Sequence, residues 1–149
     1  MTTRDDVTTA VLAAKRAKQL TFTQIAEQVG KPKVWLTAAL LGQHPLPPED
    51  AAKVGELLDL DDEQVVVLTE FVSRGSFDPS APPTDPTVYR LYELVQVYGP
   101  AIKQVVHEEF GDGIMSAINF NIEVTRRAHP GGDRVHIVLD GKFLPYQWE

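Results

Sequence analysis

The chain has 149 residues, 43% hydrophobic and 23% charged, a balance that excludes intrinsic disorder and leaves room for one domain or two small ones. A formal net charge of -7 argues against a protein that holds nucleic acid or an anionic membrane by bulk electrostatics, so any anion it binds is captured locally. Without cysteine there is no disulfide, no thiolate nucleophile and no Cys-based metal or iron–sulfur site.

The first residues, Met1 to Asp6, are polar and partly acidic and lead into no apolar stretch, so no secretory leader is expected. The longest apolar run, around Val34 to Leu41, is too short to span a bilayer, and a cytoplasmic location is expected. From about residue 5 to residue 72 apolar residues recur at helical spacing in short segments broken by Gly or Pro. The pattern predicts helices near 5–18, 22–29, 32–41, 48–58 and 61–72, with Thr21 capping the second and Pro47 and Pro48 suited to the first turn of the fourth. Residues 1–75 thus read as an all-helical bundle.

Residues 73–86 hold four of the eleven prolines, too many for a regular element, and the linker is placed at 76–86. Asp85-Pro86 then starts a helix that Gly99-Pro100 is expected to stop, with a second helix over about 101–110. After the Gly111-Asp112-Gly113 turn the period becomes two: Ile118, Phe120, Ile122 and Val124 alternate with polar residues, as do Val135, Ile137 and Leu139 beyond the His129 to Asp133 turn cluster. A hairpin follows, its second strand ending at Asp140-Gly141 and a further short strand running toward Leu144. Residues 87–149 therefore form a small α+β domain, and the whole chain is of the α+β class.

Phe22 to Gly30, followed by an apolar helix with Leu36 and Ala39 inward, has the small residue and turn glycine of a helix-turn-helix. Base reading needs Arg, Asn or Gln on the second helix, yet Lys31 and Lys33 are all it offers, and residues 1–75 carry eight basic against eleven acidic side chains. The bundle is read as a repressor-like scaffold with no nucleic-acid partner. A DNA-binding regulator and a catalytically silent oligomeric scaffold are the competing functions.

Between Val88 and Tyr98, eight of eleven residues are apolar or tyrosine, and the exceptions are Arg90, Glu93 and Gln96. At about 100° per residue these form one polar stripe about 120° wide and leave roughly 240° of the helix wanting burial, more than a domain this small supplies. A partner subunit is expected to supply it. An i, i+3 pair is ordinarily a surface ion pair. Here the cation precedes the anion, the less favourable order against the helix dipole, and the stripe is narrow enough to be enclosed. An enclosed guanidinium not fully neutralised is an anion site. Ser116, after the Gly-rich turn and in phase with Ile118 and Phe120, is expected to face inward, where it either bonds its own turn or binds a ligand. His44, His107, His129 and His136 fall in no triad or metal spacing, and no metal site is expected.

The segments Pro86-Thr-Val-Tyr-Arg90-Leu-Tyr-Glu93-Leu-Val-Gln-Val-Tyr-Gly99 and Val106-His-Glu-Glu-Phe-Gly-Asp-Gly-Ile-Met-Ser116-Ala-Ile-Asn-Phe120 resemble the cyanase (cyanate hydratase, cyanate lyase) family. Thr37-Ala-Ala-Leu-Leu-Gly-Gln43 and Leu139-Asp-Gly-Lys-Phe-Leu-Pro145 extend the likeness along nearly the whole chain, and no departure touches Arg90, Glu93 or Ser116. The resemblance implies a repressor-like bundle joined to an α+β domain that intertwines with a partner's, the dimers assembling as a homodecamer with sites at subunit interfaces. It implies that cyanate and bicarbonate give carbamate and carbon dioxide, carbamate then releasing ammonia and a second carbon dioxide. Arg90, Glu93 and Ser116 match the family's catalytic residues; bicarbonate is a co-substrate, no metal or organic cofactor is implied, and neither is a membrane.

Overall fold

The computed structural model describes residues 1–72 and 80–148 and has the α+β architecture, six helices followed by a two-stranded antiparallel sheet among the described residues. The first five helices are α1 (Arg4–Ala17), α2 (Phe22–Val29), α3 (Lys33–Leu40), α4 (Pro48–Leu58) and α5 (Asp62–Leu68). Three of them begin with a side chain that caps free backbone N–H groups. Thr3, Thr21 and Asp61 accept from the third helical residue, whose own side chain, Asp6, Gln24 or Gln64, accepts from the cap's N–H. Pro48 occupies the first position of α4, where a missing N–H costs nothing, and Gly30 closes α2 in the left-handed conformation at φ 78°.

The core lies among these helices: Val7, Val11, Ile25, Leu36, Leu40, Val54, Leu58 and Leu68 are essentially water-free, and Leu36 and Ala39 point inward as predicted. Arg4 fastens the bundle with its guanidinium, donating to the carbonyls of Val67 (2.9 Å), Ala39 (2.6 Å) and His44 (3.3 Å), and burial lowers its pKa from the usual arginine value.

These contacts explain why α5 ends at Leu68 and not near 72. The carbonyls of Val67 and Leu68, which a longer helix would offer to residues 71 and 72, accept instead from Arg4 and from the Leu46 N–H at 2.8 Å. Phe71 beyond them is 98% exposed, so continuing the helix would bury nothing.

Of the expected linker, 76–79 lie outside the described residues, and 80–85 hold no helix or strand. Asp85 caps α6 (Pro86–Phe110), its carboxylate accepting from the N–H groups of Thr87 and Val88 at 2.9 Å each. Gly99-Pro100 does not stop this helix, contrary to expectation. Proline fixes a helical φ and forfeits one hydrogen bond, and the clash that drives its predecessor out of the helix falls partly on that residue's Cβ, which Gly99 lacks.

The sheet is a single hairpin of β1 (Gly113–Arg127) and β2 (Arg134–Pro145). Asp140-Gly141 is not a strand end: β2 runs through it. The chain divides into two compact units, one holding the first five helices with Ile122–Val138, the other α6 with the remainder of the hairpin.

Candidate active site

Arg90 lies on the second turn of α6, and its Nη1 is 3.0 Å from Glu93 Oε2. The spacing alone produces this pair, because residues three apart stand side by side on a helix. The expectation that the stripe is enclosed is not met within one chain. The Arg90 and Glu93 side chains are 74% and 48% exposed, and no residue of α6 is buried. The reason is physical: the buried apolar residues all lie at or before Leu68, and although Phe143 stacks on Phe110 at the far end of α6, with ring centroids 5.1 Å apart, the second unit buries no apolar residue among those described. Ten large apolar side chains of α6, from Tyr89 to Phe110, are 36–63% exposed.

Ser116 is buried at 6% exposure, as predicted, but not by strand alternation, since Ile118, expected in the same phase, is 76% exposed. Its Oγ accepts from the N–H of Ile118 at 3.1 Å and of Asn119 at 2.9 Å. Two amides close together in the chain converge on one side-chain oxygen. The serine thus bonds its own turn, the bland alternative weighed from sequence, and that bonding does not exhaust it. An oxygen that accepts twice keeps its proton for donation, and no described residue takes it. The sequence points to bonding within the turn without naming the partners, and the habit of serine of capping N–H groups two and three residues on identifies them as those of Ile118 and Asn119. Within the chain Ser116 makes no hydrogen bond to Arg90 or Glu93.

The histidines do not join this group. His44 packs against Trp35 with ring centroids 4.7 Å apart and planes tilted by 42°, and it sits 3.0 Å from two carbonyls, those of Trp35 and Pro45. His107 stands 4.0 Å from Asp112, and His136 bonds Thr125.

Of the two lysines in the helix-turn-helix region, Lys31 is held in an ion pair. Lys31 Nζ is 3.0 Å from Oδ2 of the fully buried Asp50, and Lys33, Val34 and Thr37 line a cavity of about 220 Å³ with Phe22, Thr23 and Val124. Among the described residues no helix is long and apolar enough to cross a membrane.

Comparison with known proteins supplies the family. Residues 4–71 match the model for the cyanate hydratase N-terminal region, and residues 80–148 match that for the cyanate lyase C-terminal domain. A cyanate hydratase from Mycolicibacterium vanbaalenii is 57% identical over 98% of this chain and 95% of its own length. One from Thiobacillus denitrificans is 56% identical over 97% and 98%. The crystal structure of cyanase from T. urticae superposes with a TM-score of 0.82 at 40% identity, covering 93% of this chain and 96% of that one. A likeness this close across both halves means that the chain belongs to the cyanate hydratase, or cyanate lyase, family of enzymes.

Proposed function

We propose that the protein decomposes cyanate with bicarbonate to ammonia and carbon dioxide by way of carbamate, at a site made of Arg90, Glu93 and Ser116. The observation that carries the reading is the Ser116 hydroxyl, which two amides leave to act as a hydrogen-bond donor, in a chain of this family that also sets a guanidinium on an uncovered helix face.

The chemistry demands such groups. A bicarbonate oxygen attacks the cyanate carbon, and the new C–O bond joins two anions. Held about 4 Å apart at an effective dielectric near 20, they repel by roughly 4 kcal/mol. Fixed donors aimed at the developing charge offset this. Arg90 gives a permanent positive charge with a rigid fork of N–H groups, and Ser116 gives one oriented O–H. Ser116 acts as an anion ligand and not as a nucleophile, because no base neighbours it. The cyanate nitrogen takes up two protons, the one that bicarbonate carried and one more from the site, and the bond between the bicarbonate carbon and the bridging oxygen breaks. Carbon dioxide leaves, and the oxygen stays with carbamate. A further proton splits carbamate into ammonia and carbon dioxide. Glu93 holds Arg90 in place and relays a proton. The scheme calls on no metal or organic cofactor.

The exposed apolar surface of α6 supports a homo-oligomer, an intertwined dimer repeated into a decamer, with subunits joining to complete each site. The pairing of Lys31 with Asp50 supports the absence of a nucleic-acid partner. The test is to mix the purified protein with cyanate and assay ammonia with and without bicarbonate. Ammonia release that requires bicarbonate is expected; none in its presence would sink the proposal.

A further inference from the structure

Gly141 stands inside β2, where a glycine ordinarily weakens a strand and marks a close approach of backbone. The approach here is to the serine segment. A Cβ at residue 141 would lie 2.5 Å from the Ser116 carbonyl oxygen and 3.1 Å from Phe120 Cδ2, and would press on Met115 Cγ as well. Met115 can turn about its side-chain bonds, whereas the Ser116 carbonyl belongs to a planar peptide in a strand. Restoring an ordinary contact of about 3.5 Å from 2.5 Å requires that peptide to retreat by about 1 Å. A second glycine, Gly113, makes a similar contact with the Leu144 carbonyl and the Phe143 ring, so the short segment carrying Ser116 lies against β2 backbone at both ends.

We infer that Gly141 is a positioning residue for Ser116: its missing side chain lets β2 pass against the Ser116 peptide and fixes where the hydroxyl points. The inference rests on the reading of Ser116 as an anion ligand. The Oγ is tied to the Ile118 and Asn119 amides, so a shift of the peptide is carried into the hydroxyl. A misplacement of about 1 Å at a reacting centre costs on the order of a hundredfold in rate.

The test is a double-mutant cycle of Ser116→Ala and Gly141→Ala, reading kcat and KM for cyanate and bicarbonate, with light scattering to confirm assembly. Both single variants are expected to lose activity, Gly141→Ala by roughly a hundredfold in kcat/KM, and the double variant to be no worse than Ser116→Ala alone within about threefold. Losses that multiply would show a general structural role and overturn the proposal. So would an unimpaired Gly141→Ala beside a crippled Ser116→Ala, which leaves the serine reading intact. A fully active Ser116→Ala would instead remove the serine reading and this inference with it. If Gly141→Ala does not assemble, the cycle is run in Met115→Ala chains, which keep the Ser116 carbonyl as the short contact. Failure to assemble there too would assign the glycine to folding alone and overturn the proposal.

Discussion

Val95 offers the sharpest test of the idea that α6 is a subunit interface. It lies on the arc of the helix opposite the Arg90, Glu93 and Gln96 stripe, 63% exposed in the single chain. The ten exposed apolar side chains of α6 sum to on the order of 900 Å², above the roughly 800 Å² that each partner buries in a standard interface. At about 25 cal/mol per Å² this is roughly 20 kcal/mol gross, enough to exceed an association cost of about 4–15 kcal/mol. Val95 contributes about 2.5 kcal/mol of it. Val95→Glu loses that and also sets a carboxylate in a desolvated contact, for a total of roughly 5 kcal/mol per site. Each 1.4 kcal/mol is tenfold, so the dissociation constant of that contact should rise by about 10³ to 10⁴. The helix itself should not suffer, since Glu is a better helix former than Val. Light scattering across a dilution series reads the mass directly, with Val95→Ala as the milder control. A Val95→Glu protein holding the parent mass down to nanomolar concentration would refute the reasoning.

Arg90→Lys keeps the charge and loses the fork, so kcat/KM should fall by roughly 10² to 10³ with the mass unchanged; an undiminished rate would take Arg90 out of the site. Glu93→Gln cannot relay a proton, and turnover should drop with an altered pH profile, whereas full turnover with the parent profile would end the proton role. In the bundle, Asp6 is held below its ordinary value of 3.8 by hydrogen bonds from the Thr3 hydroxyl and then its N–H, and Glu63 below 4.5 by the Thr2 N–H. Because the folded values are the lower ones, the unfolded chain takes up protons first, and this stability is present above about pH 4.5 and lost as pH falls through the folded values. Acid unfolding of Asp6→Asn should show a shallower slope below about pH 4, and an unchanged slope would count against the Thr3 bond as its source.

Features that depend on a few neighbours along the chain could be read in the sequence. The Thr21 cap, Pro48 at a first turn, the Asp85-Pro86 start of α6 and the Arg90 to Glu93 spacing are of this kind. Those set by distant partners could not. Where α5 stops depends on Arg4 and Leu46 taking its last carbonyls, a competition invisible from residues 61–72 alone. Gly99-Pro100 carried the usual stop signal, but the same glycine that suggested a stop also removes the Cβ that makes proline's predecessor leave a helix. Asp140-Gly141 reads as a turn because Asp-Gly so often is one. An isolated glycine within an alternating pattern has a second meaning, close backbone approach, and the packing against Ser116 selects it. Ser116 is inward, as its place after the turn suggests, yet not by phase, since Ile118 is exposed.

Enclosure of the stripe is the expectation that a single chain cannot meet, and this has a consequence for catalysis. One Arg90 donor is used by Glu93 at 3.0 Å, and the side chain otherwise faces water. There an ion pair is worth about 0.2–1 kcal/mol, and a guanidinium attracts an anion 4 Å away by only about 1 kcal/mol. At an effective dielectric near 20 the same attraction is roughly 4 kcal/mol, comparable to the repulsion between cyanate and bicarbonate that the site has to offset. On the proposed mechanism, assembly is therefore what would convert the exposed pair into a catalytic one. Val95, across the helix from Arg90, contacts no substrate in this scheme, yet dissociated Val95→Glu subunits should turn over no cyanate. Activity should return in proportion to assembled mass as concentration is raised. Dissociated subunits with the parent rate would show that one exposed Arg90 suffices and that the interface is not part of the site.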